Sequence, residues 1–304
     1  MHSTDTTTAL PSQTEVVDLF AGPRGWSEGL ATLGLADVGI EWDADACATA
    51  VAAGHLTIRA DVSTYPPEVF TGARGVIASP PCPDFSLAGS GMGRSGKSGW
   101  LVDEPVRWVE ELHPEWVVCE QVPGALPVWH EHAHRYRALG YSVWCGVVNA
   151  ADYGVPQTRT RAVLLASRVR SVARPPVTHA RQPTLFGLPP WVTMSEACGW
   201  PPGEYRLDRR QNGAPVLDVG RRPAPTLTAA AVAAGIWTLT KNGERVRLSV
   251  ADALAVQSFR GDYPLRGSPR SQHEQIGNAV PPLLAAHLLA AVLGVPADTS
   301  APTP

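Results

Sequence analysis

The stretch Val16-Val17-Asp18-Leu19-Phe20-Ala21-Gly22-Pro23-Arg24-Gly25 decides how the rest of the chain is read. A mostly apolar run, Val16–Phe20, ends in a turn of small residues, and apolar residues at helical spacing follow over Ser27–Leu33. A short apolar run closed by a Gly-containing turn reads as a buried strand, and strand, turn and helix in that order open a parallel βα unit. Small residues in the turn let a ligand approach the backbone, although a turn of this kind taken alone is more often structural than functional. Outward from it, Val38–Trp42, Gly75–Ala78, Trp116–Cys119, Val143–Val148 and Ala162–Ala166 read as further buried strands. Helical patterns lie around Ala44–Ala53, Glu104–Leu112 and Trp129–Leu139. The alternation predicts an α/β fold, a doubly wound, mostly parallel sheet whose ligands sit beyond the carboxyl ends of the strands.

After Ser167 the pattern breaks. Ten prolines between Pro175 and Pro225 crowd a stretch with little periodicity, which predicts a small loop-rich second lobe. Helical spacing returns at Ser249–Phe259 and at Val280–Leu293, where Leu283, Leu284, His287, Leu288 and Ala291 make one face of an amphipathic helix. The organisation expected is a disordered 1–14, one discontinuous unit from 15–167 plus 273–296, a lobe at 168–272 and a flexible tail at 297–304. A chain of 304 residues with 44% hydrophobic content has the length for one sizeable core and such a lobe.

The net charge of −3 hides a segregation. Between Arg168 and Arg247 there are 12 Lys and Arg against 5 Asp and Glu, a local +7, which leaves 13 against 23, or −10, elsewhere. A basic lobe on an acidic body suits a polyanionic partner, and it is equally what a solvated Arg-rich loop region would show. Five widely spaced cysteines with no Cys-x-x-Cys pair argue against a disulfide framework and against a zinc site, so no metal is expected and a reducing, cytoplasmic compartment fits. No signal peptide is read at the N-terminus, and no run approaches the ~20 apolar residues that span a bilayer. A monomer with no membrane partner is expected.

The strand ends carry the chemistry. The second strand ends in Glu41-Trp42 and the third in Asp61; an acid there commonly meets ribose hydroxyls, and the indole offers a stacking face for adenine. No Gly-x-x-x-x-Gly-Lys segment exists, which favours a nucleoside ligand over ATP. The fourth strand runs into Ser79-Pro80-Pro81-Cys82-Pro83-Asp84-Phe85-Ser86 and a Gly/Ser-rich stretch reaching Gly99. A cysteine between prolines at a strand end, before a loop, is placed as a nucleophile, whereas Cys119 and Cys145 fall mid-strand. Glu120 ends the neighbouring strand, and in Gln157-Thr158-Arg159-Thr160-Arg161 the alternation of a strand puts both arginines on one face. Either arginine alone would serve as a surface ion pair; cysteine, glutamate and paired arginines on one rim favour catalysis.

Phe20-Ala21-Gly22, Pro80-Pro81-Cys82, Glu120-x-Val122, Gln157-x-Arg159-x-Arg161 and Gln275-Ile276-Gly277-Asn278-Ala279-Val280-Pro281-Pro282, in that order, resemble the motif series of the DNA (cytosine-5) methyltransferases over 16–167 and 247–293. The resemblance implies the S-adenosylmethionine-dependent methyltransferase fold and transfer of a methyl group to carbon 5 of a flipped-out cytosine. It implies Cys82 as the nucleophile at carbon 6, Glu120 at ring nitrogen 3 and the amino group, and Arg161 on the base and that glutamate, with Arg159 beside them. Phe20, Gly22, Glu41, Trp42, Asp61, Pro80 and Asn278 would line the S-adenosylmethionine site, and 168–272 would be the target-recognition lobe on double-stranded DNA. A companion restriction endonuclease is compatible with the resemblance. Adding a thiolate at carbon 6 makes carbon 5 nucleophilic, and positive charge near Cys82 would favour that thiolate. The base must leave the duplex stack to be reached, and the loop after Cys82 is a natural lid whose Arg94 and Lys97 are expected DNA contacts. Arg209, Arg210, Arg221 and Arg222 are the expected DNA contacts of the lobe.

Three residues depart from the family pattern: Arg24 stands where a glycine is usual, Pro83 follows the cysteine in place of glutamine, and Gln121 replaces asparagine. Arg24 would crowd or rigidify the first turn, Pro83 would stiffen the lid's start, and Gln121 lengthens a residue that braces the Pro-Cys backbone. Two other readings stay open on the residues: a weak or inactive DNA-binding relative, and an RNA cytosine methyltransferase.

Overall fold

A computed structural model describes residues 15–85, 91–182, 187–201, 203–209, 217–228 and 237–297. The expected disorder at 1–14, the tail beyond 297 and Arg210 lie outside the described residues, as does the part of the lid from 86 to 90.

The first strand, β1 (Val16–Leu19), is fully buried and lies between β2 (Val38–Glu41) and β4 (Gly75–Ala78), parallel to both. Helix α1 (Gly25–Thr32) joins β1 to β2, and α2 (Ala44–Ala52) joins β2 to the edge strand β3 (Leu56–Arg59). On the other side α3 (Glu104–Leu112) leads from β4 to β5 (Trp116–Gln121), and α4 (Leu126–Ala138) leads to β6 (Ser142–Asn149). The two-residue strand β7 (Gln157–Thr158) precedes β8 (Thr160–Ser167), which inserts antiparallel between β5 and β6. The seven-stranded order is β3-β2-β1-β4-β5-β8-β6, so winding reverses between β1 and β4. At such a reversal the loops beyond the two strands splay apart and leave a crevice, which sets the place for a ligand.

Alternation along each strand builds two cores. Val17, Leu19, Val76 and Val117 face Trp108 of α3 and Trp129 and Tyr136 of α4. Val16, Ile77, Val118, Val163 and Leu165 face Trp26 and Leu30 of α1 and the final helix α8 (Pro282–Leu293). That helix differs from the amphipathic one expected: Leu284 through Ala290 are all buried, His287 included, because it lies between α1 and the sheet. Gly29 permits the close approach, since a side chain there would overlap Ala285 and the backbone of α8. By length and composition alone the 269–293 segment has what is needed to cross a bilayer, contrary to the expectation of no such run. It is broken between Asn278 and Pro282 and mostly buried within the protein, as core helices are.

The lobe is more regular than the loop-rich reading held. Strands β9 (Tyr205–Arg209), β10 (Leu217–Asp218), β12 (Trp237–Lys241) and β13 (Glu244–Val246) form an antiparallel sheet in the order β10-β9-β12-β13. Leu207, Val219 and Leu239 pack there with Met194 of the short helix α5 (Met194–Ala197) and Val256 of α6 (Val250–Val256). A further strand, β11 (Ala224–Pro225), pairs with β7 and ties the lobe to the catalytic rim. Helix α7 (Pro269–Asn278), capped by Ser268, runs across the expected boundary between 272 and 273.

Candidate active site

Beyond β1 the backbone turns through left-handed conformations at Phe20 (φ +61°), Gly22 (φ +52°) and Arg24 (φ +72°). For the two residues that are not glycine this costs on the order of 1–3 kcal/mol each, so the surroundings must hold them. Glu41, at the end of β2, does part of this: Gly22 N–H donates to Oε2 at 2.8 Å, and the N–H groups of Trp42 and Asp43 donate to Oε1, each at 2.8 Å. Burial raises the Glu41 carboxyl above its ordinary range, and these three donors oppose that. A carboxylate offers about four acceptor sites, so one remains for a hydroxyl. Trp42 stands 74% exposed beside it, and the space above Gly22 is open. Phe20 is half-buried against the core. Asp61 is two residues past the end of β3, exposed, and caps its own turn by accepting from the N–H and hydroxyl of Ser63. Asn278, exposed at the end of α7, lies two residues before Val280, whose carbonyl packs on Gly25 so closely that a side chain at 25 would overlap it. An exposed indole, a partly engaged carboxylate and an open glycine turn at the sheet's reversal suit an adenosine-bearing cofactor.

Beyond β4 lies the second rim. Gln121 reaches from β5 to donate to the carbonyls of Pro80 at 2.8 Å and Pro81 at 3.2 Å, while its own carbonyl oxygen accepts from Val122 N–H at 2.6 Å. The longer side chain thus makes the brace expected of the shorter one. Trp26 Nε1 donates to Ser79 Oγ at 2.9 Å and links the two rims. The buried carboxylate of Asp84 accepts from the N–H and hydroxyl of Ser98, at 2.9 and 3.0 Å, and closes the base of the loop. Asp84 was not singled out in the sequence; its only signal was an acid two residues past the cysteine.

Cys82 is half-buried between these supports. Glu120 and Arg161, buried on adjacent strands β5 and β8, pair at 2.7 Å. Both act on Cys82: burial raises the thiol, Arg161 and then Arg159 draw it down, Glu120 raises it, and the net direction is up. Both arginines thus act on the thiol in the expected sense, and burial opposes them with the larger effect. The two arginines also diverge. Arg159, only 2% exposed, donates to the carbonyls of Leu227 at 3.3 Å, Gly277 at 3.0 Å and Ala279 at 3.1 Å. Burial and the neighbouring Arg161 pull its pKa down to about 9, still well above neutrality, so it keeps its charge. Gln157 joins the same knot, donating to Gln257 and accepting from Leu227 N–H at 2.9 Å. Arg159 acts electrostatically on Cys82, as its placement in the sequence suggested, and its hydrogen bonds also staple the lobe's entrance to the chain around Asn278.

The expected DNA contacts are scattered. Arg94 is engaged by Asp103 through two bonds of 2.9 Å and by Glu131 at 2.6 Å, while Lys97 is exposed on the same loop. Arg221 is 85% exposed, 3.6 Å from Asp218, and Arg222 is exposed beside it. Arg209 lies on β9, opposite Trp237.

Comparison with known proteins gives one answer. Residues 14–186 match the family described as C-5 cytosine-specific DNA methylase. The Type II methyltransferase M.AplI of Arthrospira platensis is 31% identical over 91% of this chain and 84% of its own, and M.NgoMIV of Neisseria gonorrhoeae is 28% identical over 88% and 94%. The fold is shared with a DNA modification methyltransferase encoded within an E. coli prophage (TM-score 0.67, 18% identity, 92% of this chain and 98% of the other). It is shared equally with the Entamoeba histolytica methyltransferase EhMeth (TM-score 0.68, 12% identity, 93% and 99%). On the family match and the 31% relative, the chain belongs to the C-5 cytosine-specific DNA methylases, enzymes that methylate carbon 5 of cytosine in DNA.

Proposed function

We propose that this cytosine-5 methyltransferase works through Cys82, with Glu120 and Arg161 on the target base and with S-adenosylmethionine against the Phe20–Gly25 turn. The observation that carries the reading is the buried Glu120–Arg161 pair at 2.7 Å, acting electrostatically on a half-buried thiol at the next strand end. Cys82 gives up its proton and forms a carbon–sulfur bond at carbon 6; the displaced ring electrons make carbon 5 nucleophilic. Glu120 meets the rising negative charge at ring nitrogen 3 by donating or sharing a proton, and Arg161 orients that carboxyl and the base. Once carbon 5 carries the methyl group, its proton passes to solvent water and Cys82 departs with the carbon–sulfur bonding electrons, which restores the aromatic ring. S-adenosylmethionine supplies a sulfonium methyl when bound; Glu41, Trp42, Phe20, Gly22, Asp61, Pro80 and Asn278 would hold it. The brace from Gln121 keeps Pro80-Pro81 fixed, and Arg159 serves as a positioning residue at the joint with the lobe.

The partner proposed is duplex DNA, with the catalytic unit at 15–167 and 268–296 and the recognition lobe between them. The lobe's charge of +7 suits phosphate contacts by Arg209, Arg210, Arg221 and Arg222, and Lys97 and Arg94 would meet the backbone from the lid once Arg94 leaves its carboxylates. The Type II names of the relatives favour a companion restriction endonuclease, and a monomer acting in the cytoplasm completes the reading. The test is transfer of labelled methyl from S-adenosylmethionine to duplex DNA and to tRNA, with mass analysis of the product base. 5-Methylcytosine in DNA is expected; label in tRNA alone, or on another base, would overturn the reading.

A further inference from the structure

We infer that Arg24 and Gly39 form a matched pair that holds the Phe20–Gly25 turn ready for its cofactor, which makes Arg24 a positioning residue for S-adenosylmethionine binding; this rests on the cofactor reading above. Arg24 is an unfavourable residue for its own backbone. It sits before the first residue of α1 with φ +72°, and its side chain makes no cap hydrogen bond there. Left-handed backbone and a helix N-cap both favour other residue types, so the side chain must supply the compensation.

The guanidinium turns inward and is fully buried. It lies 2.9 Å from Asp37 and 3.6 Å from Asp18, both also buried, and Ser27 Oγ donates to Asp37 at 3.0 Å. The room for it comes from Gly39. That glycine is in the middle of β2, paired with Asp18, where a glycine weakens a strand and commonly marks a close approach. A side chain there would overlap the Arg24 guanidinium and crowd Ala21 of the turn. From the other direction Tyr263 donates its hydroxyl to the carbonyl of Pro23 at 2.6 Å. The turn is thus pinned from below by Arg24, from the side by Glu41 on Gly22, and from above by Tyr263. A turn fixed in one conformation presents its full population to a ligand, whereas a released turn lowers apparent affinity by the fraction lost.

The test uses the full chain as parent, Arg24→Met, Gly39→Ala, and Arg24→Gly combined with Gly39→Ala. S-adenosylhomocysteine is titrated calorimetrically, and thermal melting is followed alongside. Arg24→Met and Gly39→Ala should each weaken binding about tenfold or more, by loss of the binding-competent turn. The KM for S-adenosylmethionine should rise in step, with turnover at saturating cofactor held within about threefold. Arg24→Gly in the Gly39→Ala background should recover most of the affinity, because glycine accepts the left-handed backbone and vacates the contested space. Unchanged affinity in Arg24→Met, or in Gly39→Ala, would overturn the pairing. If Arg24→Met fails to melt cooperatively, the remaining two variants decide, and no recovery in the double variant overturns it. A parent that binds no S-adenosylhomocysteine overturns the cofactor reading itself, and this inference with it.

Discussion

The turn after β1 and the loop after β4 flank the same crevice and are built in opposite ways. The first is held by buried charge: Arg24, Asp18 and Asp37 lie wholly or almost wholly out of solvent, and Glu41 takes three backbone donors. The second has one buried carboxylate, Asp84 on Ser98, and otherwise rests on neutral and exposed contacts: one amide on the Pro80-Pro81 carbonyls, and an Arg94 cluster with Asp103 and Glu131 whose members are 38–59% exposed. A cofactor of constant shape suits a fixed rim. A base that must swing out of a duplex needs a rim that opens, and exposed ion pairs are the kind that exchange partners cheaply.

The difference is measurable, and the largest effect is expected on the buried side. Arg24→Met strands Asp18 and Asp37, and loss of one partner of a buried pair typically costs about 3–5 kcal/mol of stability, read from denaturant unfolding. The pH dependence has a definite sign. Burial raises the Asp18 carboxyl well above its ordinary value despite the opposing charge of Arg24. The native protein therefore keeps a proton that the unfolded chain releases, so this group's contribution is complete below the unfolded value of ~4 and is lost as pH rises through the folded one. That decline should extend to higher pH in Arg24→Met, which removes the charge that lowers Asp18, and a flat profile would break the contrast. Next in size, Arg161→Lys should lower turnover about 100-fold, near 2.7 kcal/mol, since lysine cannot keep a planar hold on both Glu120 and the base. Gln121→Ala should cost roughly tenfold in turnover, by freeing the Pro80 and Pro81 carbonyls, with cofactor affinity unchanged. Smallest of all, Arg94→Ala should change stability by under about 1 kcal/mol, as exposed ion pairs do. A loss there as large as at Arg24 would erase the distinction between the rims.

Most of the sheet was legible because β1, β2, β4 and β5 are buried on both faces and so read as largely apolar runs, with acids at Asp18 and at the strand ends Glu41 and Glu120. The lobe's sheet was not, for β9 reads Tyr-Arg-Leu-Asp-Arg with Leu207 as its buried residue, and β10 and β11 are two residues long. Helix α7 is polar along most of its length, and its signal was only Ser268 followed by Pro269, a cap and a first-turn proline. At the rim, Cys82 and Glu120 were singled out by their strand ends and Arg161 by its place at a strand start, and the structure pairs Glu120 with Arg161 at 2.7 Å. Arg159 lies at the break between β7 and β8, where its N–H turns back to the carbonyl of Gln157 at 3.0 Å, and its bonds to the carbonyls of Leu227, Gly277 and Ala279 left no mark in the sequence. A period-two argument holds only inside a continuous strand.

The central claim is that Cys82 forms a bond with the target base. Duplex DNA carrying 5-fluorocytosine at the methylated position, incubated with S-adenosylmethionine and resolved under denaturing conditions, tests it directly, because fluorine at carbon 5 blocks the elimination that frees the enzyme. The parent should give a covalent protein–DNA band, and Cys82→Ser should give none while melting as the parent does. A covalent band with Cys82→Ser, or none with an active parent, would contradict the account.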